Sequence, residues 1–140
     1  MSAMGPIDHL GIAVRSIETA LRFWKDSLGL PVSEPEEVAS EGVRVVFVPL
    51  GESRIELLEP LGADSPIARF IAKRGEGIHH VCLRVTDIDS ALAKLAEEGA
   101  EIIQPAPRVG AGGRRIAFVH PKSTGGVLLE LKEVASPADS

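Results

Sequence analysis

The chain has 140 residues, of which 44% are hydrophobic and 25% are charged, and its formal net charge is −5. The acidic balance and the scattered basic residues exclude a nucleic-acid-binding class, and no apolar run approaches the roughly 18 residues of a transmembrane helix. The lone cysteine, Cys82, excludes an internal disulfide and is expected in the core rather than as a nucleophile. These features predict a soluble, cytoplasmic protein that acts neither at a membrane nor on nucleic acid.

The first half of the sequence has the pattern of one strand, one helix and three further strands. Residues 7–14 alternate, so that Leu10 and Ile12 share one face of a strand and His9 lies on the other. Ser16 stands where a helix N-cap belongs, and an apolar helical stripe follows it. Because that helix must cover the Leu10 and Ile12 face, we expect His9 to point away from the helix. Further strands are predicted at residues 32–38, 43–49 and 54–59.

A short helix is predicted between the two halves, over residues 66–74, with Ser65 as its cap and Pro66 at its first position. The second half then repeats the pattern of the first. It predicts a strand at 78–85, a helix capped by Asp87, and strands at 102–104, 115–119 and 127–132.

The two halves are related as an internal repeat. The segment IDHLGIAVRSIETAL, which begins at Ile7, corresponds to IHHVCLRVTDIDSAL, which begins 71 residues later at Ile78. A further shift of three residues aligns SRIELLE in the first half with VLLELKE in the second. The pairs that carry the alignment are His9 with His80, Phe47 with Phe118, and Glu56 with Glu130. A histidine and a glutamate that recur at matching places indicate a duplicated functional unit.

The repeat predicts an α+β fold of two pseudo-symmetric βαβββ modules, at about 7–60 and 78–133, that form a curved mixed-sheet cup. We expect one domain over residues 1–136, made of these two repeats and the short helix that connects them. Residues 137–140 are expected to be a loose tail, like the first few residues of the chain.

Pseudo-twofold symmetry would bring equivalent side chains together inside such a cup. One His and one Glu per half, doubled by symmetry, predict a four-ligand metal site of His9, Glu56, His80 and Glu130. Two neutral imidazoles and two carboxylates suit a divalent ion, and mixed nitrogen and oxygen ligands suit Co²⁺, Ni²⁺, Zn²⁺, Mn²⁺ or Fe²⁺. An octahedral ion would keep two positions open for a chelating substrate.

The other two histidines and two further glutamates lie outside the predicted ligand set. We expect His79 to be structural or to support a ligand, whereas a structural and a functional role both stay open for His120. Strand alternation places His79 on the helix side, and His120 lies in a loop at the end of a strand. Glu59 and Glu133 lie three residues beyond the predicted ligands, on the opposite face, and are expected to be solvated.

Several stretches resemble the vicinal oxygen chelate superfamily, which includes the glyoxalases, the bleomycin resistance proteins and the dioxygenases. The general signal lies in IDHLGIAV, GIHHVCLRV and GVLLELKE. Within the superfamily, PLGADSPIARF and HPKSTGGVL are similar to the methylmalonyl-CoA epimerase family. The resemblance runs from about residue 7 to residue 133.

This resemblance implies metal-dependent epimerisation of methylmalonyl-CoA between its 2R and 2S forms by an isomerase. It implies a CoA thioester substrate, a homodimer and a divalent metal, with Co²⁺ as the typical ion. It places metal ligation at His9, His80 and Glu130, with position 56 completing the set. Some family members carry a glutamate base at the position of Val45, and valine cannot take a proton.

Epimerisation needs an acid or base on each face of C2. Because Val45 is inert, we expect the catalytic pair to be Glu56 and Glu130, which are pseudo-symmetric. Gly112, Arg114 and Lys122 are candidates for binding the CoA phosphates.

Two other functions fit the same frame. One is a glyoxalase I-type lactoylglutathione lyase, against which the PLGADSP and HPKS segments argue. The other is a non-enzymatic ligand-sequestering protein of the same fold, and such proteins usually lose the metal ligands that this sequence keeps.

Overall fold

The computed structural model describes residues 4–136. The chain divides into two compact units: residues 10–79 form the first, and residues 1–9 together with 80–140 form the second. The predicted tail at 137–140 lies outside the described residues, as do residues 1–3. Within residues 4–136, no helix combines the length and the apolar character needed to cross a bilayer.

The first unit contains the end of the first strand and the elements that follow it up to the start of the fifth. Its strands follow the order β2-β3-β4-β1, with β2, β3 and β4 antiparallel. The elements are β1 (Met4–Ala13, from residue 10 onward), α1 (Ile17–Leu21), a π-helical segment (Arg22–Ser27), β2 (Glu36–Val38), β3 (Val43–Leu50), β4 (Ser53–Pro60) and α2 (Pro66–Arg74).

The core of the first unit lies between its helix and one face of its strands. Ile17 at the start of α1 packs with Val46, Val48 and Leu57 from β3 and β4. Leu10, Ile12 and Trp24 pack against this cluster as well. The prediction that the helix covers the Leu10 and Ile12 face is therefore confirmed.

The second unit contains the same sequence of elements. Its strands follow the order β1-β5-β8-β7-β6, in which β5 and β8 are parallel, whereas β8, β7 and β6 are antiparallel. Ile88 and Ala91 pack with Val85, Ala117 and Leu131 to form its core. The elements are the first part of β1, β5 (Gly77–Val85, from residue 80 onward), α3 (Ile88–Glu97), β6 (Ile102–Val109), β7 (Arg115–Val119) and β8 (Leu129–Glu133).

Strand register confirms the internal repeat residue by residue. In the first unit Phe47 on β3 pairs with Glu56 on β4, and in the second unit Phe118 on β7 pairs with Glu130 on β8. The alignment that places Glu56 opposite Glu130 in the sequence therefore holds inside each unit separately. An α+β fold built from two βαβββ repeats is confirmed.

Glu59 and Glu133 are not simply solvated, contrary to expectation. In the first unit the backbone N–H of Ile17 donates to Glu59 Oε1 at 2.8 Å, and in the second the N–H of Ile88 donates to Glu133 Oε2 at 3.0 Å. Each glutamate therefore satisfies a free N–H at the first residue of the helix in its own repeat. Both repeats therefore place a glutamate of their last strand at the N-terminus of their helix. The sequence of the helix by itself does not indicate this contact.

Several boundaries differ from the predicted ones. The second strand begins at Glu36 rather than at residue 32, where Pro31 and Pro35 remove backbone donors. Strand β6 continues to Val109 instead of ending at residue 104. It is the last strand in the order β1-β5-β8-β7-β6, and an edge strand tolerates proline because its outer N–H groups need no strand partner.

Candidate metal centre

Three of the four predicted metal ligands lie together in the second unit. His9 comes from β1, His80 from β5 and Glu130 from the middle of β8. All three side chains are buried. Adjacent strands thus aim two imidazoles and one carboxylate at a common point.

The three ligand atoms form a nearly equilateral triangle. His9 Nε2 lies 3.1 Å from His80 Nε2 and 3.1 Å from Glu130 Oε1, and His80 Nε2 lies 3.0 Å from the same oxygen. Imidazole and carboxylate ligands bind divalent ions at about 2.0–2.2 Å, so two ligands at right angles on one ion are about 3 Å apart. The triangle therefore matches one face of an octahedral site, and these residues fit a divalent ion.

The charge of the triangle favours a cation at the same point. Burial alone would raise the pKa of Glu130, but hydrogen bonds and positive charge from His80 and His9 outweigh it and hold that pKa below its usual value. Glu130 is therefore a carboxylate. In the absence of a metal ion the imidazoles must supply protons at Nε2 to satisfy it, and a divalent ion satisfies all three groups at once.

A buried network of charged residues lies behind His9, and the sequence reasoning missed it. Asp8 Oδ2 accepts a hydrogen bond from His9 Nδ1 at 2.7 Å, and Asp8 Oδ1 accepts one from Arg84 Nε at 2.9 Å. Lys132 Nζ lies 3.3 Å from Asp8 Oδ2. The available signal was a single charged residue in each of the otherwise apolar strands β1 and β5, together with Lys132, which follows the apolar Leu131 on β8.

An aromatic ring, that of Phe118, packs beside the triangle. The rings of Phe118 and His80 are edge-on, with centroids 6.1 Å apart, and the Arg108 guanidinium lies 4.9 Å from the centre of the Phe118 ring. The first unit repeats the arrangement, with the Arg54 guanidinium 3.9 Å from the ring centre of Phe47. In each repeat an arginine therefore stacks on the phenylalanine that pairs with the duplicated glutamate.

Glu56, the fourth predicted ligand, belongs to the first unit. It lies on β4, is buried, and is paired with Phe47 in the same register as Glu130 with Phe118. Its place in the first repeat is thus equivalent to that of Glu130 in the second.

The three candidate phosphate-binding residues lie at two separate places. Gly112 and Arg114 precede β7, where Gly112 has a φ of 69° in a tight turn, and Lys122 follows the same strand in another short turn. The five residues of β7 alone span about 17 Å. Arg114 and Lys122 therefore lie at opposite ends of β7.

The other two histidines have structural surroundings. The ring of His79 packs edge-on against Phe70 of α2, with centroids 4.9 Å apart. His120 Nδ1 accepts a hydrogen bond from the backbone N–H of Lys122 at 3.0 Å, which closes the turn after β7.

Cys82 has the surroundings of a core residue. Its side chain is fully buried, and burial together with the nearby charge of Glu130 raises the pKa of the thiol to about 12. We expect Cys82 to react with a thiol reagent such as 5,5′-dithiobis(2-nitrobenzoate) far more slowly in the native protein than in guanidinium chloride, because the reagent must first reach the sulfur. Native and denatured labelling rates that agree within a factor of two would contradict this assignment.

A family profile and several known proteins match the chain over most of its length. The profile of the Glyoxalase/Bleomycin resistance protein/Dioxygenase superfamily matches residues 8–118. A mitochondrial methylmalonyl-CoA epimerase of Bos taurus is 44% identical over 131 residues, which cover 93% of this chain and 75% of that protein. An ethylmalonyl-CoA/methylmalonyl-CoA epimerase of Cereibacter sphaeroides is 41% identical over 133 residues, which cover 94% of this chain and 99% of that protein.

Solved structures give the same result. A methylmalonyl-CoA epimerase in complex with methylmalonyl-CoA and NH₄⁺ is 34% identical to this chain and matches it with a TM-score of 0.90. The match covers 95% of this chain and 96% of that one.

Proposed function

Because the chain belongs to the methylmalonyl-CoA epimerase family of the glyoxalase/bleomycin resistance/dioxygenase superfamily, we propose that it is a metal-dependent isomerase that interconverts the 2R and 2S epimers of methylmalonyl-CoA. The observation that carries the metal dependence is the triangle of His9, His80 and Glu130, whose ligand atoms are 3.0–3.1 Å apart.

We propose that His9, His80 and Glu130 hold a divalent ion and that Glu56 completes the ligand set. The proposal for Glu56 rests on the repeat, since this residue has the register, the burial and the phenylalanine partner of Glu130. Among divalent ions we expect Co²⁺ to be preferred, although Zn²⁺, Ni²⁺, Mn²⁺ and Fe²⁺ accept the same ligands. When bound, the ion would act as a Lewis acid that stabilises negative charge developing on the thioester oxygen.

The chain's own residues must move the proton at C2. Epimerisation removes a proton from one face of C2 and returns one to the opposite face, so two acid/base groups are needed. Within residues 4–136, the hydrogen bonds and ion pairs of Glu130 run through Oε1, which leaves Oε2 to take or give the proton. Its lowered pKa keeps this carboxylate ionised and able to accept.

We propose Glu56 as the acid/base group of the other face. Val45, at the position where some relatives carry a glutamate base, is buried and has no titratable group. The second proton therefore has to come from another residue, and the repeat equivalent of Glu130 is the candidate that the sequence offers.

The CoA portion of the substrate requires contacts outside the ligand set. We propose that Gly112 and Arg114 bind one part of it and Lys122 another, because these residues lie at opposite ends of β7. Gly112 has a φ of 69° in a tight turn beside Arg114, whose guanidinium supplies the positive charge that suits a phosphate. We also expect a homodimer, for which the resemblance to the family is the support.

The experiment that tests the proposed function is metal removal and restoration. We expect the protein to lose epimerase activity after exhaustive treatment with a chelator and to regain it on addition of Co²⁺, because two imidazoles and two carboxylates cannot replace the charge of the ion. A matched sample receives Mg²⁺, which prefers an all-oxygen site and should restore little. Full activity of the chelated, metal-free protein would contradict the proposal.

A second assay separates this activity from that of a lactoylglutathione lyase. We expect no turnover of the hemithioacetal of methylglyoxal and glutathione by the cobalt-restored protein. Turnover of the hemithioacetal without turnover of methylmalonyl-CoA would favour the lyase, and metal-free protein that binds a small ligand without converting it would favour sequestration.

A further inference from the structure

Three charged side chains in the second unit are buried nearly completely. The exposed fraction is 0% for Asp8, 3% for Arg84 and 7% for Lys132. Arg84 Nε donates to Asp8 Oδ1 at 2.9 Å, and Lys132 Nζ lies 3.3–3.4 Å from both carboxylate oxygens. Removing three charges from water is unfavourable, and an apolar cluster of the same volume often gives equal or greater stability. The fold alone therefore offers no reason to keep them.

The internal repeat supports this conclusion, because the first repeat builds the same strands without these charges. At the position equivalent to Lys132 stands Leu58, which pairs with Val45 in the register in which Lys132 pairs with Ile116. At the position equivalent to Arg84 stands Ala13, which is fully buried. The βαβββ module thus folds with apolar residues at both sites.

The same comparison distinguishes the two histidines. The residue before His9 is Asp8, whereas the residue before His80 is His79, whose ring packs against Phe70. The carboxylate behind His9 therefore has no equivalent at the matching position of the other repeat. What is particular to the Asp8 network is its contact with His9 Nδ1 at 2.7 Å.

That contact determines which nitrogen of His9 faces the triangle as a ligand. A carboxylate accepts a hydrogen bond and cannot donate one, so His9 Nδ1 carries a hydrogen. When an ion is bound, Nε2 is therefore the nitrogen that offers its lone pair. Nε2 is the atom that lies 3.1 Å from both His80 Nε2 and Glu130 Oε1. The contacts at Nδ1 and at Nε2 together hold the ring of His9 in this orientation.

We propose that Asp8 is a positioning residue for His9, held in place and balanced in charge by Arg84 and Lys132. Asp8 fixes the tautomer and the direction of His9, and the two cations orient the carboxylate and compensate its negative charge in the buried site. A carboxylate behind a metal-ligating histidine typically changes metal affinity by on the order of 10- to 100-fold. This inference rests on the metal dependence proposed above.

The first test replaces the whole network by apolar residues. The triple variant Asp8→Leu, Arg84→Met and Lys132→Leu removes all three buried charges together, and we expect it to fold with a melting temperature equal to that of the parent or higher. We expect its Kd for Co²⁺, measured by competition with a chromogenic chelator, to rise on the order of 10- to 100-fold. A folded triple variant that binds Co²⁺ within twofold of the parent would overturn the proposal.

A conservative variant separates positioning from general loss of structure. In Asp8→Asn the side-chain carbonyl still accepts from His9 Nδ1, so we expect a Kd for Co²⁺ much closer to that of the parent than to that of the triple variant. Binding by Asp8→Asn that is as weak as binding by the triple variant would contradict the role of the Nδ1 hydrogen bond.

A measurement on the unaltered protein does not depend on any variant folding. In the Zn²⁺-loaded protein, a long-range ¹H–¹⁵N spectrum should show His9 with a protonated Nδ1 and a metal-bound Nε2. A metal-bound Nδ1 would overturn the proposal. If the unaltered protein takes up neither Co²⁺ nor Zn²⁺, the proposed metal dependence is wrong. If parent and triple variant bind the ion equally well, only the positioning role of Asp8 is wrong.

Discussion

Replacement of Glu130 by glutamine should remove nearly all epimerase activity. Glutamine keeps the length of the side chain and can accept one hydrogen bond from His9 or His80, but it carries no charge and cannot take the proton from C2. A lost general base alone typically lowers turnover on the order of 10²- to 10⁴-fold. Turnover of each epimer, measured together with the Co²⁺ content of the variant, distinguishes a lost base from a lost ligand.

The matched control for this variant is Glu133→Gln on the same strand. Glu133 accepts from the N–H of Ile88 at 3.0 Å and contacts Arg115, so it serves helix α3 and not the ligand triangle. We expect Glu133→Gln to keep the activity of the parent and to lose some thermal stability. If Glu130→Gln retains a tenth or more of the parent turnover with its metal bound, Glu130 is not an essential base.

The repeat made both the fold and much of the site predictable. Two segments 71 residues apart carry a histidine at the same place, and that spacing predicted that His9 and His80 lie together. Their Nε2 atoms are 3.1 Å apart. The three-residue shift that aligned Glu56 with Glu130 reappears as a strand register in each unit. A duplicated sequence therefore gives long-range information that a single periodic segment lacks.

The features that were missed depend on contacts without a local pattern. Asp8 and Lys132 are 124 residues apart, and no periodicity in β1 or β8 indicates that they meet. The same holds for Glu59, which meets the N–H of Ile17 across 42 residues. The predicted strand at 102–104 was too short because Pro105 and Pro107 normally end a strand. In the structure both lie where the pairing of β6 with β7 is irregular, on a strand at the sheet edge, and both conditions tolerate proline.

Glu56→Gln should block proton removal from one epimer and leave proton removal from the other epimer intact. With one base missing, the epimer whose proton Glu56 removes should lose turnover and solvent exchange together, on the order of 10²- to 10⁴-fold. The other epimer still gives up its proton to Glu130, which can return a solvent proton to the same face. In D₂O this epimer should therefore incorporate deuterium into recovered substrate without conversion to its partner.

The complementary variant, Glu130→Gln, tests the same assignment of one base to each epimer. If Glu130→Gln retains metal, it should show the reverse preference, with exchange of the epimer that Glu56→Gln cannot exchange. Glu59→Gln is the matched control on β4, because Glu59 accepts from the N–H of Ile17 and should leave exchange of both epimers unchanged. Equal incorporation of deuterium from both epimers in Glu56→Gln, at the rate of the parent, would remove Glu56 from the proton transfer. Since Val45 carries no titratable group, the second proton would then have to come from bound water or from another side chain of the site.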